Sequence, residues 1–246
     1  MNEAAAQPEL PNIISLVAGL FKDTAFAKFL IFWESVIFSI FAACVILILA
    51  YIACRKRKMI PGRLQNVAEI YVSSIEELVC GIIGPKGKKY TAFIGTLFIY
   101  IIFMNFLGLV PLFKSSTANL STTIALSLCV FVYVQYTALK ELGLFGYIDH
   151  LAAKPRGGLA LSIVMPVLIF AVHLLSELIK PLILSLRLYG NIWGDDVLIA
   201  VVSGFGIGWL PILFIGTMLA VLTAVVQAVV FCMLSTVYFA LVMAEE

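Results

Sequence analysis

Hydrophobic and polar residues alternate along this chain in long blocks, not with the short periods of a soluble domain. The first apolar block, residues 35–54, contains twenty residues and no charged side chain. A helix of about 20 residues rises about 30 Å, the thickness of the hydrocarbon core of a bilayer. The block ends at a basic run, residues 55–58. This pattern predicts a membrane-spanning helix followed by a polar loop.

The loop after this first block carries most of its charge as lysine and arginine. Between residues 55 and 89 there are eight basic and three acidic residues. Since cytoplasmic loops are enriched in Lys and Arg, the loop is predicted to be cytoplasmic and the N-terminus external. Apolar residues recur within the loop at helical spacing: Leu64, Val67, Ala68, Tyr71, Ile75, Leu78, Val79 and Ile82. They predict an amphipathic helix on the cytoplasmic membrane interface, with a soluble packing helix as the alternative that its place between two spans disfavours.

Two further apolar blocks, residues 91–113 and 122–139, predict the second and third spans. A short polar turn at residues 114–117 separates them. The loop after the third span is again mainly basic: Lys140, Lys154 and Arg156 against Glu141 and Asp149. The charges of this loop therefore agree with the same orientation in the membrane.

The rest of the chain consists of two apolar segments that are too long for simple crossings. One runs from residue 157 to 203, and after a glycine-rich turn about 36 apolar residues reach Ala244. Each segment could hold two short crossings or one long helix. A 35-residue helix is about 52 Å long and needs a tilt of about 55° to fit the hydrocarbon core, beyond the usual range of about 0–40°. Because neither segment contains a polar loop, we predict two tilted or bent helices.

Together these blocks predict an all-α integral membrane protein with about five transmembrane helices, the last two long and strongly tilted as a hairpin, plus one cytoplasmic interfacial helix. The composition excludes a soluble domain, since 63% of the 246 residues are hydrophobic and 12% charged, against about 45–50% and about 25% in soluble proteins. We expect one membrane domain, residues 1–246, with the C-terminus inside. Its parts are an external segment (1–29), the first span (30–54), a loop with the amphipathic helix (55–90), the second and third spans (91–139), a loop (140–158) and the hairpin (159–246).

Polar residues interrupt the first long segment at regular spacing. They follow each other in steps of three or four, with one apolar position among them: His173, Glu177, Lys180, Leu184, Arg187, Asn191 and Asp195. On a continuous helix this spacing predicts one polar stripe. Asp196 points about 100° away from Asp195 on such a helix. Pro181 is expected to bend the helix.

Arg187 is the residue in this stripe that most needs an explanation. A charged side chain at the centre of a span costs about 2.5–3.5 kcal/mol and normally faces a polar cavity or an ion pathway. Glu177 and Lys180 are spaced to form an intrahelical ion pair, but Arg187 has no acid four residues away on either side. In the last segment, Gln227 could face Arg187 if the two helices pack antiparallel. A lone glutamine also commonly joins helices within a membrane.

Several motifs together resemble subunit a of F-type ATP synthases. They are residues 180–191 (KPLILSLRLYGN), residues 105–111 (NFLGLVP), residues 87–90 (GKKY), and Gln227 followed by Tyr238. They occur in the order of that family, from about residue 60 to the end. The resemblance implies a non-catalytic stator subunit beside a rotating ring of c subunits, each with one ion-binding carboxylate. Two offset half-channels would carry the ion, expected to be the proton with sodium left open, and so couple its gradient to ATP synthesis.

The resemblance also implies roles for individual residues. Arg187 matches the essential arginine of the family, and Asn191, Asp196 and Gln227 match positions that line the access half-channel. Asp195 is a second acid beside Asp196, and the family match favours Asp196 as the main relay. Ala220 stands where some members have a histidine. His173, Glu177 and Lys180 are candidates for the exit half-channel, with ordinary interfacial pairing as the equal alternative.

The implied partners are the c ring, b-type peripheral stalk subunits, the soluble ATP synthase head and the bilayer, with no nucleic acid. A bacterial plasma membrane is expected, with an organellar membrane as the alternative. A secondary transporter with a charged discontinuous helix is the rival function, but no inverted repeat is visible. A non-conducting scaffold leaves Arg187 unexplained. We find no catalytic triad, metal-ligand cluster or phosphate loop, and so expect no catalytic residue, metal or cofactor on this chain.

Overall fold

The computed structural model of the protein describes residues 13–14, 29–30, 32–54, 62–110, 113, 115–152 and 161–243. Six α-helices make up most of this part: α1 (Glu34–Cys54), α2 (Arg63–Ile83), α3 (Thr91–Leu109), α4 (Leu120–Ala152), α5 (Leu161–Ser203) and α6 (Leu210–Met243). Short 3₁₀ helices occur at Pro85–Tyr90, Ser116–Ala118 and Ile207–Trp209. The described residues contain no strand, in agreement with the predicted all-α fold.

Five helical segments in the described part are long and apolar enough to cross a membrane: Glu34–Ala53, Pro85–Leu109, Leu120–Glu141, Leu168–Ser203 and Leu210–Met243. The protein is therefore an all-α integral membrane protein, as predicted. The two C-terminal segments are single helices of 43 and 34 residues, which confirms two long helices in place of four short crossings. α5 continues past Pro181, although a proline cannot donate the usual backbone hydrogen bond to the carbonyl four residues earlier.

α4 extends further than the predicted third span. Its backbone is helical up to Ala152, within the stretch expected to be a loop, but Gly143 leaves the helical conformation (φ 69°, ψ 166°). This positive φ is readily adopted by glycine because it has no Cβ. The membrane-spanning part, Leu120–Glu141, ends just before this glycine.

Some predicted features lie outside the described residues. These are the external segment at residues 1–12 and 15–28, the basic run at 55–58, Pro111, Lys114, Lys154, Arg156 and the last residues, 244–246. The charges that carry most of the orientation argument are among them. The N-terminal and C-terminal orientations therefore stay predictions.

The core lies where α3, α4, α5 and α6 meet. Its most buried side chains come from all four helices: Ile94, Ile101, Val130, Leu184, Leu188, Phe231 and Phe239. α6 contributes Ala220, Ala224 and Ala228 at intervals of four residues, each no more than 3% exposed. Such small residues let helix backbones approach closely, which is how helices commonly pack within membranes.

The amphipathic helix α2 is present, but its predicted apolar face is divided between two environments. Ile75 and Val79, in the C-terminal half, are buried in the core. Leu64 and Val67, in the N-terminal half, are 67% and 65% exposed. The C-terminal half of α2 therefore packs against the protein. A membrane-interface position for the N-terminal half stays a prediction.

A hydrogen bond from Tyr71 joins α2 to α3. The Tyr71 hydroxyl donates to the carbonyl oxygen of Gly95 at 2.5 Å. Burial raises the pKa of Tyr71 to about 12, so the phenol is neutral and remains a donor at physiological pH.

The end of α3 is pressed against the connection to α4. A Cβ atom on Gly108 would lie 2.5 Å from Ser115 Cβ, whereas Gly81 in α2 has open space around it. We expect Gly108→Ala to destabilise the protein by about 1–3 kcal/mol because the added methyl overpacks this contact. Gly81→Ala is the matched control and should be neutral or slightly stabilising. Thermal unfolding of the purified proteins in detergent measures both, and equal midpoints would contradict the close approach.

Candidate functional site

Arg187 lies near the middle of the membrane-spanning part of α5 and is exposed on the surface of the chain. Its neighbour Leu186 is 55% exposed, whereas Leu184 and Leu188 are 1% and 0% exposed and pack in the core. Among the described residues, Arg187 has no ion pair and no hydrogen bond. Arg187 is therefore exposed on the chain beside an exposed apolar side chain, where a cation needs a polar partner.

The residues of the predicted polar stripe differ in exposure in the structure. His173, Glu177, Lys180 and Asp195 are half-buried, and Arg187 and Asn191 are exposed. Leu184 belongs to the buried edge of the helix. On a helix of 3.6 residues per turn these positions stay within about 80° of one another, so the difference in exposure reflects how much of this face the neighbouring helices cover.

Asn191 and Gln227 form a contact between α5 and α6 about one helical turn from Arg187. The Asn191 side-chain nitrogen donates to Gln227 Oε1 at 2.6 Å, and Gln227 is only 3% exposed. Gln227 Nε2 is buried and has no acceptor among the described residues. Gln227 therefore bonds to the residue one helical turn from Arg187, and not to Arg187 as the antiparallel packing suggested.

Asp195 and Asp196 follow on α5, and both are half-buried. Asp195 Oδ2 is a buried atom with no donor in the described part of the chain, whereas Asp196 has an interaction partner of its own. A buried carboxylate oxygen without a donor costs free energy unless a proton or a water molecule satisfies it. No group of three or more His, Cys, Asp or Glu residues that could hold a metal ion occurs among the described residues.

A second polar cluster lies on the other side of Arg187. Lys180 Nζ donates to Glu177 Oε1, which confirms the predicted ion pair. Gln135 of α4 donates to the other carboxylate oxygen of Glu177 at 3.1 Å, and the Lys180 ammonium lies 5.6 Å from the ring centroid of Tyr238. The cluster borders a partly open cleft lined by residues of α4, α5 and α6.

Comparison with known proteins identifies the family. The sequence model described as the ATP synthase A chain matches residues 36–240. The chain belongs to the ATP synthase A chain family.

Relatives match over most of their length. ATP synthase subunit a of Protochlamydia amoebophila (strain UWE25) is 41% identical over 97% of this chain and 91% of its own. ATP synthase subunit a of Solidesulfovibrio magneticus is 34% identical over 93% of this chain and 94% of its own. That of Oleidesulfovibrio alaskensis is 38% identical over 77% of this chain and 77% of its own.

In this member of the ATP synthase A chain family, sequence reasoning missed a buried polar network between α3 and the connection to α4. Thr117 Oγ1 donates to Asn105 Oδ1 at 2.9 Å, and Asn105 Nδ2 donates to the carbonyl oxygen of Ala224 on α6 at 3.3 Å. The Ser115 hydroxyl lies 2.5 Å from Thr117 Oγ1. The signal was the run of hydroxyl residues at 115–117, which we took only for a polar turn.

Gln135 was also missed as a site residue. It is half-buried in the third span and holds the carboxylate of Glu177. Its signal was a lone glutamine within an apolar segment, the same signal that drew attention to Gln227.

Proposed function

We propose that this protein translocates ions, most simply protons, through two offset half-channels beside a rotating ring of c subunits. The ion gradient thereby drives ATP synthesis by a soluble head, or the machine runs in reverse. The observation that carries this proposal is the exposed side chain of Arg187, which has no counter-ion in the described part of the chain. Membership of the ATP synthase A chain family supports it.

The spacing of polar groups along α5 supports two half-channels separated by Arg187. Asp195 is eight residues beyond Arg187, or about 12 Å along the helix axis. Glu177 is ten residues before it, or about 15 Å along the axis. We assign Asn191, Asp195, Asp196 and Gln227 to the access half-channel, and His173, Glu177 and Lys180 to the exit half-channel.

The arginine acts on each ring carboxylate as it passes. Its guanidinium does not lose its proton in proteins, and a nearby cation favours the ionised form of a carboxyl group. The carboxylate therefore releases its ion on one side of Arg187 before it can bind another on the other side. The same positive charge repels cations and so opposes a direct leak between the half-channels.

The membrane potential supplies energy for rotation. Each charge that crosses 100 mV yields about 2.3 kcal/mol, so several ions are needed for each ATP. The chain itself has no catalytic role in this proposal. The head makes ATP, and b-type stalk subunits keep the chain from turning with the ring.

The proposed orientation has the N-terminus outside and the C-terminus in the cytoplasm of a bacterial cell. The ring would lie against the Arg187 face of α5. A secondary transporter is the weaker alternative, since such proteins bind their substrates at broken helices near the midplane, whereas α5 is continuous from Leu161 to Ser203.

ATP-driven proton pumping in inverted vesicles tests the proposal at the Asn191–Gln227 contact. Gln227→Leu should reduce pumping about tenfold, because loss of a buried hydrogen-bond partner costs about 1–3 kcal/mol. ATP hydrolysis by the assembled head should continue. The matched control is Val226→Leu, since Val226 is the preceding residue and is 51% exposed. Full pumping by Gln227→Leu would remove Gln227 from the ion path.

A further inference from the structure

The rotation of α6 about its own axis needs a cause that its apolar pattern does not supply. Large apolar residues are exposed on α6 at Phe214, Leu222 and Val226 and buried at Phe231 and Phe239. Lipid and protein interior are about equally favourable for such side chains, so burial of apolar surface does not select one rotation. The helix nevertheless presents Gln227 to Asn191 at 2.6 Å.

The contact between α6 and α3 contains a directional bond that can select the rotation. Asn105 is 3% exposed, and its side-chain nitrogen donates to the carbonyl oxygen of Ala224 at 3.3 Å. A backbone carbonyl has two lone pairs, so Ala224 can accept this bond and its helical bond together. The neighbouring small residues, Ala220 and Ala228, are buried at the same interface and permit the close approach.

The carboxamide oxygen of Asn105 also has a hydrogen-bond partner. Thr117, which is fully buried, donates its hydroxyl to Asn105 Oδ1 at 2.9 Å. Ser115 bonds to the carbonyl of Met104 at 3.1 Å and lies beside Thr117. Since the oxygen of the amide is occupied by Thr117, its nitrogen is directed at α6.

We propose that Asn105, oriented by Thr117, is a positioning residue that sets the rotation of α6 and thereby presents Gln227 to Asn191. Gln227 lies three residues after Ala224, so it is less than one turn from the bonded carbonyl. The hydrogen bonds form a path from the α3–α4 connection through α3 and α6 to α5, next to Arg187. That this rotation of α6 matters for ion translocation rests on the proposed function. That Asn105 sets the rotation does not rest on it.

Disulfide cross-linking in the assembled complex measures the rotation directly. Two double variants are compared: Asn191→Cys with Gln227→Cys, and Asn191→Cys with Val226→Cys, whose second position points about 100° away on a helix. With Asn105 present, the first pair should cross-link faster than the second under mild oxidation. The ratio of the two cross-linking rates measures this preference. Adding Asn105→Leu should reduce the ratio about fivefold, as expected for loss of one buried hydrogen bond. Phe106→Leu, at the next and partly exposed position, is the control and should leave the preference unchanged.

Two variants at Thr117 keep the test decisive if Asn105→Leu folds poorly. Thr117→Val removes the hydroxyl at nearly constant volume and should lower the cross-linking preference, whereas Thr117→Ser retains the hydroxyl and should preserve it. An unchanged preference in both Asn105→Leu and Thr117→Val would overturn the proposal. If the preference falls but Asn105→Leu still pumps protons normally with Asn191 and Gln227 intact, the positioning stands, and the proposed role of Gln227 in translocation fails.

Discussion

Replacing Arg187 with alanine is expected to abolish ATP-driven proton pumping into inverted vesicles while the assembled head continues to hydrolyse ATP. The exposed side chain has no counter-ion among the described residues of its own chain, so in the proposed mechanism its partner is the carboxylate of the ring. Removing one member of a desolvated ion pair costs about 3–5 kcal/mol, which corresponds to a loss of more than about a hundredfold. Quenching of a pH-sensitive dye measures pumping, and phosphate release measures hydrolysis.

Two further variants at this surface show what the arginine contributes. Leu186→Ala is the matched control, because Leu186 is the preceding residue and is 55% exposed; it should assemble and pump. Arg187→Lys should remain strongly impaired, since an ammonium loses its proton more readily on desolvation and lacks the planar fork of donors. If the assembled Arg187→Ala complex pumps at nearly the parental rate, the arginine is structural, and both the mechanism and the use of the family's essential arginine are wrong.

Length and charge were sufficient to predict the helices of this fold. The first span was expected at residues 35–54 and is found at Glu34–Cys54, because a charge-free run bounded by a basic cluster has few alternatives in a bilayer. The two long C-terminal helices were expected because neither segment contains a polar loop. The ion pair between Glu177 and Lys180 was also predicted correctly, because residues three apart on one helix are neighbours.

Contacts between helices were harder to predict. Asn191 and Gln227 are 36 residues apart in the chain, and no spacing rule relates positions on different helices. In lipid, apolar helices lack the hydrophobic preference that orients helices in a soluble protein. Antiparallel packing suggested only that Gln227 could face Arg187; its hydrogen bond is to Asn191, about one turn further along α5.

Spacing along the chain was also insufficient to predict which helices the amphipathic helix α2 and the lysines after it would contact. The basic residues of this region were counted for orientation alone, yet Lys88 pairs with Glu76 of α2 at 3.0 Å, and Lys89 pairs with Glu141 of α4. Tertiary packing also buries Ile75 and Val79 in the core. A helical period shows that one face is apolar, but it does not distinguish a lipid neighbour from a protein neighbour.

Lys180→Gln alone is expected to lower the stability of the protein, and a second substitution, Glu177→Gln, should restore most of the loss. The single change leaves the carboxylate of Glu177 with Gln135 as its remaining hydrogen-bond donor among the described residues. A fully buried charge that loses its partner costs about 3–5 kcal/mol. Here the two side chains are 27% and 24% exposed, so we expect a smaller loss of about 1–3 kcal/mol. Thermal unfolding in detergent measures it, and equal stability of the single and double variants would contradict the paired arrangement.

The double variant then separates the two roles left open for this pair. If Glu177 and Lys180 only join the helix to its surroundings, two neutral glutamines that preserve the fold should also preserve proton pumping. If Glu177 carries protons in the exit half-channel, pumping should fall severalfold although stability has recovered, because an amide does not take up and release a proton at physiological pH. We expect the second result, since the carboxylate borders a cleft on the opposite side of Arg187 from Asp195. Normal pumping by the stable double variant would place the exit path elsewhere in the chain.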